Sequence, residues 1–150
     1  MKRIMDRLQL HKDNHDRPVW DDIWMSMALL IANRSVDPRR KVGAVIVTPD
    51  NTQVLALGYN GNYRGGKNKV QSVKPGESGF IHAEINALLK LDYNIQKEKI
   101  MYVTTLPCEH CAKCIVNSGI DKVIYLEDYR DHTGLDVLSD AGIDIQQLMS

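Results

Sequence analysis

The sequence has little cysteine, a single phenylalanine and no net charge, and these scarcities narrow what the chain can be. Three cysteines in 150 residues make a poor staple for a fold, and an odd number cannot all pair within one chain. Lys and Arg number 19 against 19 Asp and Glu, which counts against a general nucleic-acid coat. No apolar run approaches the ~18 residues of a membrane span. Residues 1–17 carry charges every few positions and lack the apolar core of a signal peptide. Internal repeats and low-complexity tracts are missing too. What is present is ordinary: 43% apolar and 25% charged residues, a composition that argues against disorder. The length suits one domain that buries its core without disulfides. The expectation is a soluble, cytoplasmic protein, with a polar N-terminal arm or frayed helix at 1–17 and a single domain at 18–150, and with no membrane or nucleic-acid partner.

Apolar periodicity then sets out the elements. Trp20, Ile23, Trp24, Met27, Leu30 and Ile31 recur at helical spacing after Pro18, and Pro38 bounds that helix. Strands are predicted at 42–48 and 53–57 around a Pro49-Asp50-Asn51-Thr52 turn. A glycine-rich loop spans 58–79. Helices are predicted over 82–91, 107–117 and 135–140, and strands over 100–104, 122–126 and 143–147. Helix, hairpin, then alternating helix and strand predicts an α/β fold: a three-layer α/β/α sandwich around a five-stranded mixed sheet. The run from 100 to 126 should form a parallel crossover.

All three cysteines, Cys108, Cys111 and Cys114, fall within seven residues, which in a cytosolic chain suggests metal binding or catalysis. Two motifs stand out, His82-Ala83-Glu84 and Pro107-Cys108-Glu109-His110-Cys111. Cysteines three apart on a helix share one face, and two thiolates with a neutral His82 balance the charge of Zn²⁺. Three protein ligands leave the fourth position to water, as in a catalytic zinc site, where the water pKa falls to around 7. Glu84 is placed to accept and return protons. The H-x-E…P-C-x-x-C pattern is the signature of zinc nucleobase deaminases. A structural zinc site and a redox pair at Cys108 and Cys111 remain as other readings, the second leaving His82 and Glu84 unexplained. Cys114 reads as a buried helix residue, His110 as a neighbour of the ligands, and the Trp20–Trp24–Met27 stripe as core packing.

With these motifs in place, the chain resembles the zinc-dependent cytidine deaminase superfamily, in its deoxycytidylate branch, from about residue 20 to 148. The resemblance rests on Arg34-Ser35-x-Asp37-Pro38, the run from Val42 to Val47, Gly58-Tyr59-Asn60-Gly61, His82-Ala83-Glu84-x-Asn86-Ala87, Met101-Tyr102-Val103 and Cys111-Ala112-Lys113. It implies hydrolytic deamination of dCMP to dUMP and ammonia. An activated water attacks C4 while Glu84 protonates N3 and then the leaving amine. It also implies that the Ala83 N–H holds the base carbonyl, that Asn60 bonds sugar or base, and that Arg34, with Ser35 and Tyr129, holds the 5′-phosphate. For Asn60 an αL turn residue, and for Arg34 a solvated helix end, are the plainer readings.

Family resemblance further implies a homo-oligomer, with a hexamer favoured, activated by dCTP and inhibited by dTTP, with Mg²⁺ accompanying a triphosphate. That effector site would involve Tyr59, Gly61, Arg64 and Lys67. Tyr63 stands where a proline commonly follows, and the loop is basic (Arg64, Lys67, Lys69, Lys74) where an acidic pair is usual. No Cys or His lies between Gly58 and Ile81, so one zinc per chain is expected. A zinc deaminase of deoxycytidine, dCTP or tRNA adenosine is the enzymatic alternative, and a nucleotide-binding zinc module the non-enzymatic one. The zero charge is a cancellation: residues 34–74 hold eight bases against Asp37 and Asp50, and residues 121–150 hold seven acids against two bases. The basic stretch suits a small anionic ligand.

Overall fold

The computed structural model describes residues 2–95 and 97–149; the outer bounds of the two regions read from the sequence, Met1 and Ser150, lie outside them. The chain runs α1 (Lys2–Asn14), α2 (Trp20–Ala32), β1 (Gly43–Val47), β2 (Val54–Tyr59), α3 (Ala83–Leu88), β3 (Ile100–Thr105), α4 (Glu109–Asn117), β4 (Lys122–Glu127), α5 (Thr133–Asp140) and β5 (Asp144–Gln147). One five-stranded sheet has the order β2-β1-β3-β4-β5. Its first two pairings are antiparallel and the last two parallel. The mixed five-stranded sheet agrees with the sequence reading.

Alternation along the strands separates two cores. Val45, Val47, Tyr102, Ile124 and Leu126 face α1 and α2, where they meet Ile4, Trp24, Met25, Ala28 and Leu29. Ala44, Ile46, Met101, Val103, Val123 and Tyr125 face the other layer, with Ala83, Ala87, Ala112, Ile115 and Leu138 from α3, α4 and α5. Every residue of β1 is buried, as an apolar run covered on both faces should be. Among the described residues no helix is long and apolar enough to cross a membrane.

The stretch read as an arm or frayed helix forms α1. Ile4 is wholly buried in the α2-side core, and Arg7 grips Asp22 of α2 through two bonds of 3.0 and 2.6 Å. The glycine-rich loop begins later than expected because β2 continues to Tyr59; Gly61 pairs with Ile81 in an isolated bridge. α3 is shorter than expected, with Leu89 as its C-cap and 70% exposed. Close approach of this helix to the sheet needs Gly58, where a Cβ would lie 2.6 Å from Ala87 N and 2.7 Å from Ala83 O. The missing side chain sets the height of α3 above β2, and with it the two residues that flank Ala83.

Candidate metal centre and catalytic cavity

His82 and Cys108 are both N-cap residues, of α3 and α4. The two helix starts converge, and their side chains meet. His82 Nδ1 lies 3.6 Å from Cys108 Sγ and 3.3 Å from Cys111 Sγ, and the three donor atoms fall within 4.8 Å of one another. Around one tetrahedral zinc, with Zn–S ≈ 2.3 Å and Zn–N ≈ 2.0 Å, nitrogen and sulfur stand about 3.5 Å apart. The observed separations bracket that value, so this donor set fits zinc in chemistry and in spacing.

The structure alters one detail of the cysteine pair. Cys108 is not a helical residue: its backbone is extended (φ −70°, ψ 170°) and its sulfur accepts from Cys111 N at 3.5 Å. It caps α4 as a serine or aspartate would, which turns both sulfurs to the same side. The rear of this turn is close-packed. A Cβ on Gly134 of α5 would lie 2.1 Å from Pro107 O and 2.9 Å from Cys108 O, so α5 braces the segment that carries Cys108.

Electrostatics within the cluster favour a shared negative charge. A hydrogen bond from the Cys111 thiol, followed by the opposing effect of burial and a further bond to His82, brings Cys108 down to about 4. Cys111 moves upward, because its proton is given to Cys108 and because it is buried. Bonding to Cys108 raises His82 above its ordinary value against the effect of burial. Glu84, 4% exposed, is pushed up chiefly by burial, with the Cys111 bond opposing. A buried carboxyl beside a cation site is suited to holding a proton and giving it up again.

His82, Glu84 and Cys108 form the floor of a cavity of about 310 Å³, large enough for a small-molecule ligand. Val42, Phe80, Ala83, Thr105 and Leu106 add a largely apolar wall above His82, Glu84 and Cys108. Arg39, Arg40, Lys74 and Arg130 line its outer part, together with Tyr129 and Asp37. Arg40 rests over the Tyr129 ring, 5.3 Å from its centre. Among the described residues, none of the four cationic groups has an ion-pair partner.

The sequence-read residues divide. His82, Ala83, Glu84, Cys108, Asn60 and Tyr129 line the cavity, with Cys111 completing the donor set beneath it. Arg34 and Ser35 do not line it: Arg34 is exposed and Ser35 is 2% exposed. Asn60 does, but its amide is engaged with Arg40 O and Val42 N. Tyr59, Gly61, Arg64 and Lys67 lie outside the cavity lining. Asn86 ties the loop to α3, donating to Tyr59 O at 2.8 Å and to Ile81 O at 3.3 Å. Arg39, Arg40 and Arg130 were not singled out as ligands by sequence reading; the signal that could have found the first two was their place just after the Asp37-Pro38 turn.

A family model, the cytidine and deoxycytidylate deaminase zinc-binding region, matches residues 18–127. A probable deoxycytidylate deaminase of Drosophila melanogaster is 36% identical over 141 residues, 83% of this chain and 69% of that one. Human deoxycytidylate deaminase is 36% identical over 132 residues, 80% of this chain and 72% of its own. Among solved structures, the dCMP deaminase of cyanophage S-TIM5 in complex with dCMP and dUMP superposes with a TM-score of 0.76 at 31% identity. That match covers 88% of this chain and 98% of the phage protein.

Proposed function

We propose, because this chain belongs to the cytidine and deoxycytidylate deaminase family, that it hydrolyses dCMP to dUMP and ammonia. One observation carries the reading: the floor of His82, Cys108 and Glu84, with Cys111 beneath it, shares a cavity with four cations that have no ion-pair partner among the described residues. The first set suits deamination chemistry and the second a phosphorylated substrate.

In this reading His82, Cys108 and Cys111 would hold one zinc ion. Bound zinc supplies Lewis-acid polarisation of a water, lowering its pKa to around 7. Glu84 would take one proton from the attacking water and deliver it to N3 of cytosine, then carry the second, from the oxygen now on C4, to the departing amine. The C4–N bond breaks, a C4–O bond forms, and ammonia leaves. The N–H of Ala83, in the first turn of α3, donates to the base carbonyl. Phe80 and Leu106 give the base an apolar wall and exclude water. Arg39, Arg40, Lys74 and Arg130 bind the 5′-phosphate, with fixed guanidiniums suited to its oxygens. Arg34, Ser35 and Asn60 carry less of this grip than the family resemblance implies, being outside the lining or occupied by the backbone.

The proposal extends to regulation: dCTP as activator and dTTP as inhibitor, with Mg²⁺ on the triphosphate, at Tyr59, Gly61, Arg64 and Lys67 in a cytoplasmic homo-oligomer, a hexamer. The Gly58-Tyr59-Asn60-Gly61 segment and the exposure of Arg64 and Lys67 support it. The test is ammonia release from dCMP, dCTP, deoxycytidine and a tRNA anticodon loop, each with and without dCTP and dTTP as effectors, and sizing of the enzyme in solution. Preferred turnover of dCMP is expected. Equal turnover of deoxycytidine would refute the phosphate grip, and absence of any turnover would leave a zinc module that only binds nucleotides.

A further inference from the structure

The connection from α2 to β1 contains no regular element, yet it carries two of the four cations in the cavity lining. A backbone in that position must find partners outside helix and sheet. Here side chains provide them. Ser35 Oγ accepts from Asp37 N at 3.2 Å. Asp37 Oδ1 accepts from Arg39 N at 2.8 Å and from Arg40 N at 3.4 Å. From just beyond β2, Asn60 Oδ1 accepts from Val42 N at 2.8 Å, while its Nδ2 donates to Arg40 O at 2.9 Å and Asp37 Oδ2 at 3.4 Å. Ser35 and Asn60 are themselves 2% and 8% exposed.

We propose that Ser35, Asp37 and Asn60 are positioning residues that together hold Arg39 and Arg40 as the fixed half of the anion grip. This rests on the phosphate reading given above. Two physical points favour it. Ordering an arginine on a ligand costs both backbone and side-chain entropy; pinning the backbone of both arginines, and laying the Arg40 side chain over Tyr129, removes part of that cost beforehand. The second point is Asp37 itself. A carboxylate in the lining of an anion cavity opposes binding unless its charge is spent elsewhere, and its oxygens are turned to two backbone N–H groups and the Asn60 amide. Residues whose motif suggests direct ligands thus act through their neighbours.

The test compares Asp37→Ala and Asp37→Asn with wild type on dCMP, reading KM, kcat and bound zinc. Asp37→Ala removes the acceptor for both arginine N–H groups, and KM for dCMP is expected to rise about tenfold. Its kcat should stay within about twofold and its zinc content should not change, because the floor is untouched. Asp37→Asn keeps an oxygen for the same N–H groups and should recover most of the KM. A wild-type KM in Asp37→Ala, a fall in kcat and zinc together, or an Asn variant no better than Ala would overturn the positioning role. Should Asp37→Ala fail to fold, Asp37→Glu retains the charge while misplacing the oxygen; it is expected to raise KM severalfold, and a wild-type KM there would also overturn the proposal. Arg39→Ala/Arg40→Ala separates the two levels. An unchanged KM in the double variant defeats the phosphate reading and this proposal with it. A raised KM there beside a wild-type KM in Asp37→Ala defeats the positioning role alone.

Discussion

At the floor of the cavity, His82, Glu84, Cys108 and Cys111 are held by two helix starts pressed against glycines, whereas at its rim Arg39, Arg40, Lys74 and Arg130 come from irregular segments. Backbone hydrogen bonding of helix and sheet makes the floor stiff, and the burial of Glu84 and Cys111 makes it sensitive to a displacement of a few tenths of an ångström. The rim owes its shape to a few side-chain caps and remains solvated. Chemistry that needs ligands about 3.5 Å apart therefore sits where the fold is least able to yield. Recognition of a charged group, which tolerates looser geometry, sits where it yields more.

Variants can break this contrast, and the floor should suffer most. Glu84→Gln is expected to keep its zinc yet lose about a thousandfold or more of turnover, because the amide cannot carry the proton. Metal analysis beside an ammonia assay checks both halves. Gly134→Ala should act on the floor from behind. Its methyl meets Pro107 O and the Cys108 carbonyl, so the Cys108 segment must shift, and zinc affinity should fall about ten- to a hundredfold. Competition with a chromogenic chelator measures that change.

Rim changes should be milder. Lys74 lines the cavity from the tip of a turn at 71–79, closed by Gln71 N donating to Ser78 O at 2.7 Å. Lys74→Ala is expected to raise KM for dCMP about threefold with kcat unchanged, as loss of one solvated cation should. Steady-state kinetics at two ionic strengths would check it, the difference shrinking at high salt. Smallest of all should be Arg7→Ala, on the far side of the sheet. It removes the α1–α2 ion pair with Asp22 and should cost about 1 kcal/mol, or about 2–4 °C in melting temperature, with kcat unaltered.

The same contrast explains what could be read from the sequence. Zinc ligands and Glu84 were legible because short spacing encodes them: His82 and Glu84 are two apart, Cys108 and Cys111 three apart, each pair at a helix start with an extended cap residue. The sheet was legible for a similar reason, since the apolar runs of β1, β3 and β4 are local. Cys108 as a cap was not, because an extended cap residue and a first helical residue carry the same spacing. The rim was least legible. Arg34 sits in the family motif, but which arginine enters the cavity depends on Asn60 reaching across from just beyond β2 to Arg40 O and Val42 N. That is a long-range contact with no periodic trace. The docking of α1 was hidden likewise: among its described side chains Ile4 is buried and Arg7 reaches Asp22, while the apolar Met5 and Leu10 are left exposed.

Division of labour between floor and rim is tested most directly by one ratio: kcat/KM for dCMP over kcat/KM for deoxycytidine, measured for wild type and for Arg39→Ala/Arg40→Ala. A floor that does chemistry and a rim that reads phosphate predict a large preference for dCMP in wild type. They predict its fall by about a hundredfold in the double variant, with deoxycytidine turnover unchanged. A ratio that stays the same in the double variant, or a wild type that uses both substrates equally, would contradict the account.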